Sequence, residues 1–155
     1  MGTFVVLTRV LAAVAILKLQ AVVGRAPVVE VSSFAEFEDA IVQGAVAIDV
    51  VAVEITFPRP LELPPRGTVS ITSSMFARLS GGDLSQLFIV TNVSTLSLEN
   101  VELTRGAAFN GTNGGSIYVG GWSSLSLKSC IVSENTASLV RDVVFVVVYN
   151  ASPHA

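Results

Sequence analysis

Two stretches of the chain, LFIVTNVSTLSLENVELTRG from Leu87 to Gly106 and SIYVGGWSSLSLKSCIVSEN from Ser116 to Asn135, superpose at a constant offset of 29 residues. Their apolar positions coincide: Phe88 with Ile117, Val90 with Val119, Leu96 with Leu125, Leu98 with Leu127, Val101 with Cys130 and Leu103 with Val132. An earlier copy at an offset of 27 brings Leu61, Leu63, Val69 and Ile71 under Phe88, Val90, Leu96 and Leu98. Self-similarity with a period of about 20 to 50 residues marks a solenoid or an array. Within each copy the apolar residues stand two apart, in short groups separated by polar or glycine positions, which is the pattern of brief strands with one inward face.

A strand rises about 3.3 Å per residue, so short strands joined by corners close a coil in under about 30 residues, and stacked coils pair as parallel strands about 4.8 Å apart. Equivalent positions then form columns. Cys130 falls in the column of Val101 and is expected to be buried there, and Leu127 is expected at a central inward position. The charges add to the register: at the same offset of 29, Glu99 falls on Lys128 and Arg105 on Glu134. A flat array of hairpins would instead place a turn pair such as Asn-Gly at each reversal, and Asn110-Gly111 supplies one.

Composition agrees with strands. Of the 155 residues 51% are hydrophobic and 14% charged, which excludes a disordered polyelectrolyte and argues against a nucleic-acid partner. Valine, serine, threonine and glycine are plentiful, whereas lysine occurs at Lys18 and Lys128 alone. The length suits one domain. With Cys130 as the sole cysteine, an internal disulfide is excluded.

GGSIYV at Gly114 to Val119, followed by LSLKSCIVSEN at Leu125 to Asn135, resembles the right-handed parallel β-helix, the pectin-lyase-like superfamily. The pattern is most similar to the Gly-Gly-Ala-Ile and Phe-x-x-Asn repeats of polymorphic outer-membrane proteins and related surface proteins. Gly114, Gly115, Ser116 and Ile117 stand for the first motif and Val132, Ser133, Glu134 and Asn135 for the second, with serine for alanine and valine for phenylalanine. The preceding coil carries Gln86-Leu87 in place of the glycine pair and Gly106 in place of the asparagine. The expected fold is therefore all-β: a right-handed parallel β-helix of about three coils with an N-terminal capping α-helix.

The chain divides accordingly. Residues 1–24 place Arg9 before an apolar run from Val10 to Leu17, with small residues near Gly24, the form of a secretory signal peptide. The run is about half of the roughly 20 residues a membrane span needs. Residues 27–44 hold VSSFAEFEDAIVQG, in which Ser33 and Glu36 suit a capping box, Phe34, Phe37 and Ile41 share a helical face, and Gly44 suits the C′ position. Residues 45–138 form the coils. Residues 139–155 are an irregular apolar tail in which Val143 to Tyr149 could add a final strand or aggregate.

For chemistry the sequence offers little. Asp39, Asp49, Asp83 and Asp142 share no coil position at offsets of 27 or 29, so the aspartate clusters of the enzymes this fold resembles are not expected, nor is a metal site, a cofactor or a catalytic residue. His154 lies next to the C-terminal residue. Glycine-rich SGGD and NGTNGG read as turns. Gly114, Gly115 and Asn135 are expected as structural corner residues, with Asn135 in the left-handed region. Tyr118 and Trp122 are the candidate carbohydrate contacts, because period 2 from inward Ile117 and Val119 points Tyr118 outward. Asn92 and Asn110 head the sequons Asn-Val-Ser and Asn-Gly-Thr.

These readings lead to a non-catalytic secreted or cell-surface repeat protein with a structural, adhesive or ligand-display role, and a fragment of a longer β-helix. Its expected partners are carbohydrate, surface proteins, or a second copy meeting the open C-terminal coil. The alternative is part of a polysaccharide lyase or glycoside hydrolase of the same fold.

Overall fold

The computed structural model describes residues 26–109, 114–137 and 144–146. The expectations for residues 1–24, for Asn110 and for the tail other than 144–146 lie outside the described residues. What is described is a parallel β-solenoid of about three turns with one helix near its N-terminal end, as the repeat predicts.

Every strand pairing among the described residues is parallel. The largest sheet stacks β1 (Val28–Val31), β2 (Ala47–Val50), β5 (Thr68–Ser80), β7 (Thr95–Thr104) and β10 (Ser124–Lys128), with β3 (Glu54–Thr56) on β5 and β11 (Ile131–Ser133) on β7. A second sheet stacks β4 (Leu61–Glu62), β6 (Phe88–Val90), β9 (Ile117–Val119) and β13 (Val144–Val146). A small third one pairs β8 (Ala107–Ala108) with β12 (Thr136–Ala137). The registers match the sequence offsets: Phe88 pairs with Ile117, Leu98 with Leu127, Leu103 with Val132, and Leu61 with Phe88. The β13 strand continues the second sheet at an offset of 27, pairing Val144 with Ile117.

The core is a set of columns. Val29, Ile48, Ile71, Leu98 and Leu127 climb the first sheet, with Ile48, Ile71 and Leu98 sealed at 1%, 0% and 1% exposure and Leu127 at 40%. Ile55, Leu79, Leu103 and Val132 repeat this beside it, the last half-buried. The loss of cover at the upper end has a simple cause: among the described residues no strand pairs with the far side of β10 or β11. For the same reason Leu127 is exposed and Cys130 is half-buried, where the columns alone predicted burial.

Alternation of inward and outward residues would break where a long strand turns from one face to the next. Leu98 and Val101 are three apart yet both fully buried. Asn100 lies between them with φ 59°, and this left-handed residue resets the alternation; Ser129 at φ 53° does so one coil later. In the coil below, the residue at that corner is Phe76 at φ 58°. There Ser73 to Phe76 bulge opposite Asn100 alone, since the register passes from Thr72 with Glu99 to Ala77 with Val101. Buried Ser73 holds the bulge: its hydroxyl donates to Val50 O at 2.8 Å and accepts from the N–H groups of Met75 and Ala77.

Helix α1 (Phe34–Val42) closes the lower end, as its pattern predicts. Ser33 is the N-cap and accepts the Glu36 N–H, while the Glu36 carboxylate reaches past Ser33 to the N–H and hydroxyl of Ser32 at 2.7 and 2.9 Å. At the other end Gly44, at φ 79°, sends its N–H to Ile41 O, and Ala45 sends its N–H to Ala40 O, the two bonds of a Schellman terminus. Phe37 is fully buried and meets Phe57 and Phe88 with ring centroids 5.8 and 6.1 Å away. Phe57 packs edge-on to Phe88 at 5.3 Å, so the helix is pinned to the coils by aromatic rings.

Candidate functional site

The corner that leads from the second sheet into the first is built from left-handed turns stacked in three successive coils. Arg66, Val93 and Trp122 have φ of 58°, 66° and 64°. Arg66 N–H donates to Asn92 O and Val93 N–H to Gly121 O, both at 2.9 Å, which sets the three residues in one column. Stacked strands are about 4.8 Å apart, so the column is a stripe of one cation, one aliphatic side chain and one indole. All three are exposed, Val93 at 55% and Trp122 at 58%.

The same corner has a closed polar interior. Ser94, at 0% exposure, has its hydroxyl 2.8 Å from Pro64 O and 2.5 Å from Thr91 O, and its N–H donates to the Ser123 hydroxyl. The Thr95 and Ser124 hydroxyls meet at 3.0 Å on the outside. Tyr118 is half-buried on β9, in line with Ile89 below and Phe145 in the strand above. Its ring folds along the strand over Gly120, where an added Cβ would lie 2.8 Å from the phenol oxygen. The two candidate carbohydrate contacts are thus an exposed turn residue and an outward strand residue leaning toward that turn. Asn92 is exposed at the same turn, with φ 59°.

The expected corner residues are placed differently from one another. Gly114, at φ 74°, needs its freedom, and Gly115 is so close to Thr136 that a Cβ would strike the Thr136 backbone. At an offset of 29 the pair stands over Ser85 and Gln86, one residue earlier than the alignment of motifs suggested; Gln86 is buried and its amide donates to Gly114 O at 2.5 Å. Asn135 is not the left-handed residue: Glu134 is, at φ 54°, stacked on Arg105 at φ 51°. Asn135 acts through its side chain, as its amide N–H groups donate to Leu103 O and Ser133 O and its Oδ1 accepts the Gly106 N–H.

Charged groups link coils. Lys128 and Glu99 form the expected stacked pair at 2.6 Å. Arg105 pairs with Asp83 at 2.5 Å rather than with Glu134, because Asp83 sits in the turn directly below it. Arg78 bonds Glu102 at 3.0 Å with Glu54 at 3.9 Å, a three-coil ladder. Hydrogen bonding to Glu102 raises the Arg78 pKa, and bonding to Asp83 raises that of Arg105.

Asp49 stacks on Glu30 at an offset of 19, a carboxylate neighbour that a search at 27 and 29 misses because α1 lies between the two strands. Among the described residues no group of three or more His, Cys, Asp or Glu side chains is arranged to hold a metal ion. No described helix is long and apolar enough to cross a membrane. An open groove of about 380 Å³ runs between α1 and the β3–β4 turn, lined by Ile41, Val42, Pro60 and Leu61 with Glu38 and Arg59 across it; that pair is itself bridged at 2.5 Å. Comparison with protein-family models, curated proteins and solved structures yields no match.

Proposed function

We propose that the chain is a non-catalytic, secreted or cell-surface β-helix repeat protein whose role is structural, adhesive or one of ligand display. One observation carries the reading: the ion pairs of Lys128, Arg78 and Arg105 and the amide of Asn135 join one coil to the next. Lys128 to Glu99, Arg78 to Glu54 and Glu102, Arg105 to Asp83, and Asn135 to Gly106 and Leu103 all bridge strands or turns of successive coils. Such a scaffold presents its corners to the outside at fixed spacing, and the corner with Tyr118 and Trp122 is the surface proposed to meet carbohydrate. The motif resemblance to polymorphic surface proteins of the pectin-lyase-like fold supports the same reading. The open upper coil is the proposed contact for a further coil, a surface protein or a second copy.

The test is a binding assay on immobilised glycans and polysaccharides, run beside assays for reducing ends and unsaturated products. With chain produced in bacteria, retention that falls in Trp122→Ala, with no turnover of any polysaccharide, is the expected result. Turnover that survives purification to homogeneity would overturn the proposal.

A further inference from the structure

The corner at Asn92 carries one more reading, which rests on the proposed secretion and identifies the sugar that meets Trp122. We infer that Asn92 is modified by an N-linked glycan during synthesis, before its coil closes, and that the glycan folds back over Val93 and Trp122 as a built-in cover for this exposed apolar corner. Asn92-Val93-Ser94 is an acceptor triplet. Its asparagine is exposed in a left-handed turn, and its side-chain amide makes a long 3.3 Å contact to the Thr91 hydroxyl.

The neighbouring coil meets Asn92 without a side chain. Gly121 stacks on Asn92, and a Cβ there would come within 2.9 Å of the Asn92 backbone nitrogen. The bare backbone of Gly121 leads to Trp122, directly above Val93. The face of an indole is the negative region of its quadrupole and attracts the C–H face of a pyranose. The exposed Thr95 and Ser124 hydroxyls flank the same corner and can bond sugar hydroxyls. A ring linked to Asn92 needs to cross one strand spacing, about 4.8 Å, to reach Trp122.

The timing follows from Ser94. The hydroxyl of the triplet's serine must be reachable, yet in the folded chain Ser94 is 0% exposed and its hydroxyl is held between Pro64 O and Thr91 O. Transfer therefore belongs to the unfolded chain. The Asn92 amide nitrogen attacks the anomeric carbon of a lipid-pyrophosphate-linked oligosaccharide. A C–N bond forms, the bond from that carbon to the phosphate oxygen breaks, the lipid pyrophosphate leaves as an anion, and the amide gives up one proton.

The experiment uses the full chain behind a heterologous leader in a eukaryotic secretory host, so that glycan occupancy is read apart from export by residues 1–24. Site-mapped mass spectrometry reports occupancy at Asn92. Acrylamide quenching of Trp122, the sole tryptophan, reports cover. Expected are a glycan at Asn92, lost in Asn92→Gln, and quenching that is low in the glycoform and rises when the glycan is removed. Purified folded chain from bacteria should be refused by an oligosaccharyl transferase that accepts the denatured chain. A secreted protein with Asn92 bare, quenching unchanged by deglycosylation, or efficient modification of the folded chain would each overturn the inference.

Discussion

Asn135 Oδ1 accepts the backbone N–H of Gly106, the residue at its own position one coil earlier, at 2.6 Å. The same amide donates to Leu103 O at 3.0 Å and Ser133 O at 2.8 Å, so one side chain ties three backbone groups across two coils. The exchange of glycine for asparagine between the coils is what makes room: a Cβ on Gly106 would meet Asn135 Oδ1 at 2.7 Å and would strike Gly115 O.

Asn135→Ala leaves these partly buried groups without that partner and should destabilise the chain by about 1–3 kcal/mol. Gly106→Ala should cost at least as much, because backbone atoms cannot swing aside. Urea unfolding of the two variants checks both, and a neutral Asn135→Ala would remove the bridge from the account.

Ser116 takes the alanine position of its motif. It is 0% exposed and its hydroxyl has no hydrogen-bond partner among the described residues. Ser116→Ala removes a buried polar group of nearly the same size and should stabilise by about 1 kcal/mol. A rise in Tm is the expected outcome; a fall would mean that the hydroxyl has a partner.

Leu98 and Leu127 are equivalent by sequence and unequal by position, at 1% and 40% exposure. Leu98→Ala should cost about 2–5 kcal/mol. Leu127→Ala removes less buried area and should cost distinctly less, and equal losses would indicate that another coil covers Leu127 in solution. Cys130, whose thiol contacts Leu98 O and Lys128 O at the same open end, should accordingly react with a thiol reagent in the native state, more slowly than when unfolded.

Glu36 accepts its strongest hydrogen bonds from Ser32, which hold its carboxyl below the ordinary carboxylate range. A folded pKa below the unfolded value of about 4.3 stabilises fully above that value, and the contribution is lost as pH falls through the folded pKa. Glu36→Gln should lower the Tm at neutral pH, with the gap closing below about pH 4. A gap that persists in acid would show that the carboxylate charge is not what caps α1.

How much of this was legible in the sequence depends on coil length. Where coils have equal length, as from Phe88 to Ile117 and Leu98 to Leu127, a constant offset carries the register and the core columns with it. The Glu30 to Asp49 stack was hidden because α1 interrupts the coil, and the shift at Ser73 to Phe76 because three extra residues enter one strand. The corner geometry was hidden for another reason. Phe76, Asn100 and Ser129 do one backbone job with three unrelated side chains, so no residue type marks it. The Arg66, Val93 and Trp122 stripe shares that difficulty, and of it sequence reasoning singled out Trp122 alone. Residue type marks Asn135 for a left-handed backbone, whereas its amide is what the corner uses.

The central claim, parallel coils in a 29-residue register, is tested most directly by crosslinking outward positions of β7 and β10. Ser97 and Ser126 are register partners, about 4.8 Å apart at strand spacing, within the roughly 4.4–6.8 Å Cα separation a disulfide spans. Ser97 and Ser124 are diagonal, at about 7–8 Å. In a Cys130→Ser background, Ser97→Cys with Ser126→Cys should oxidise to an internally bridged monomer, while Ser97→Cys with Ser124→Cys should not. Equal bridging of both pairs, or of neither, would contradict the parallel solenoid.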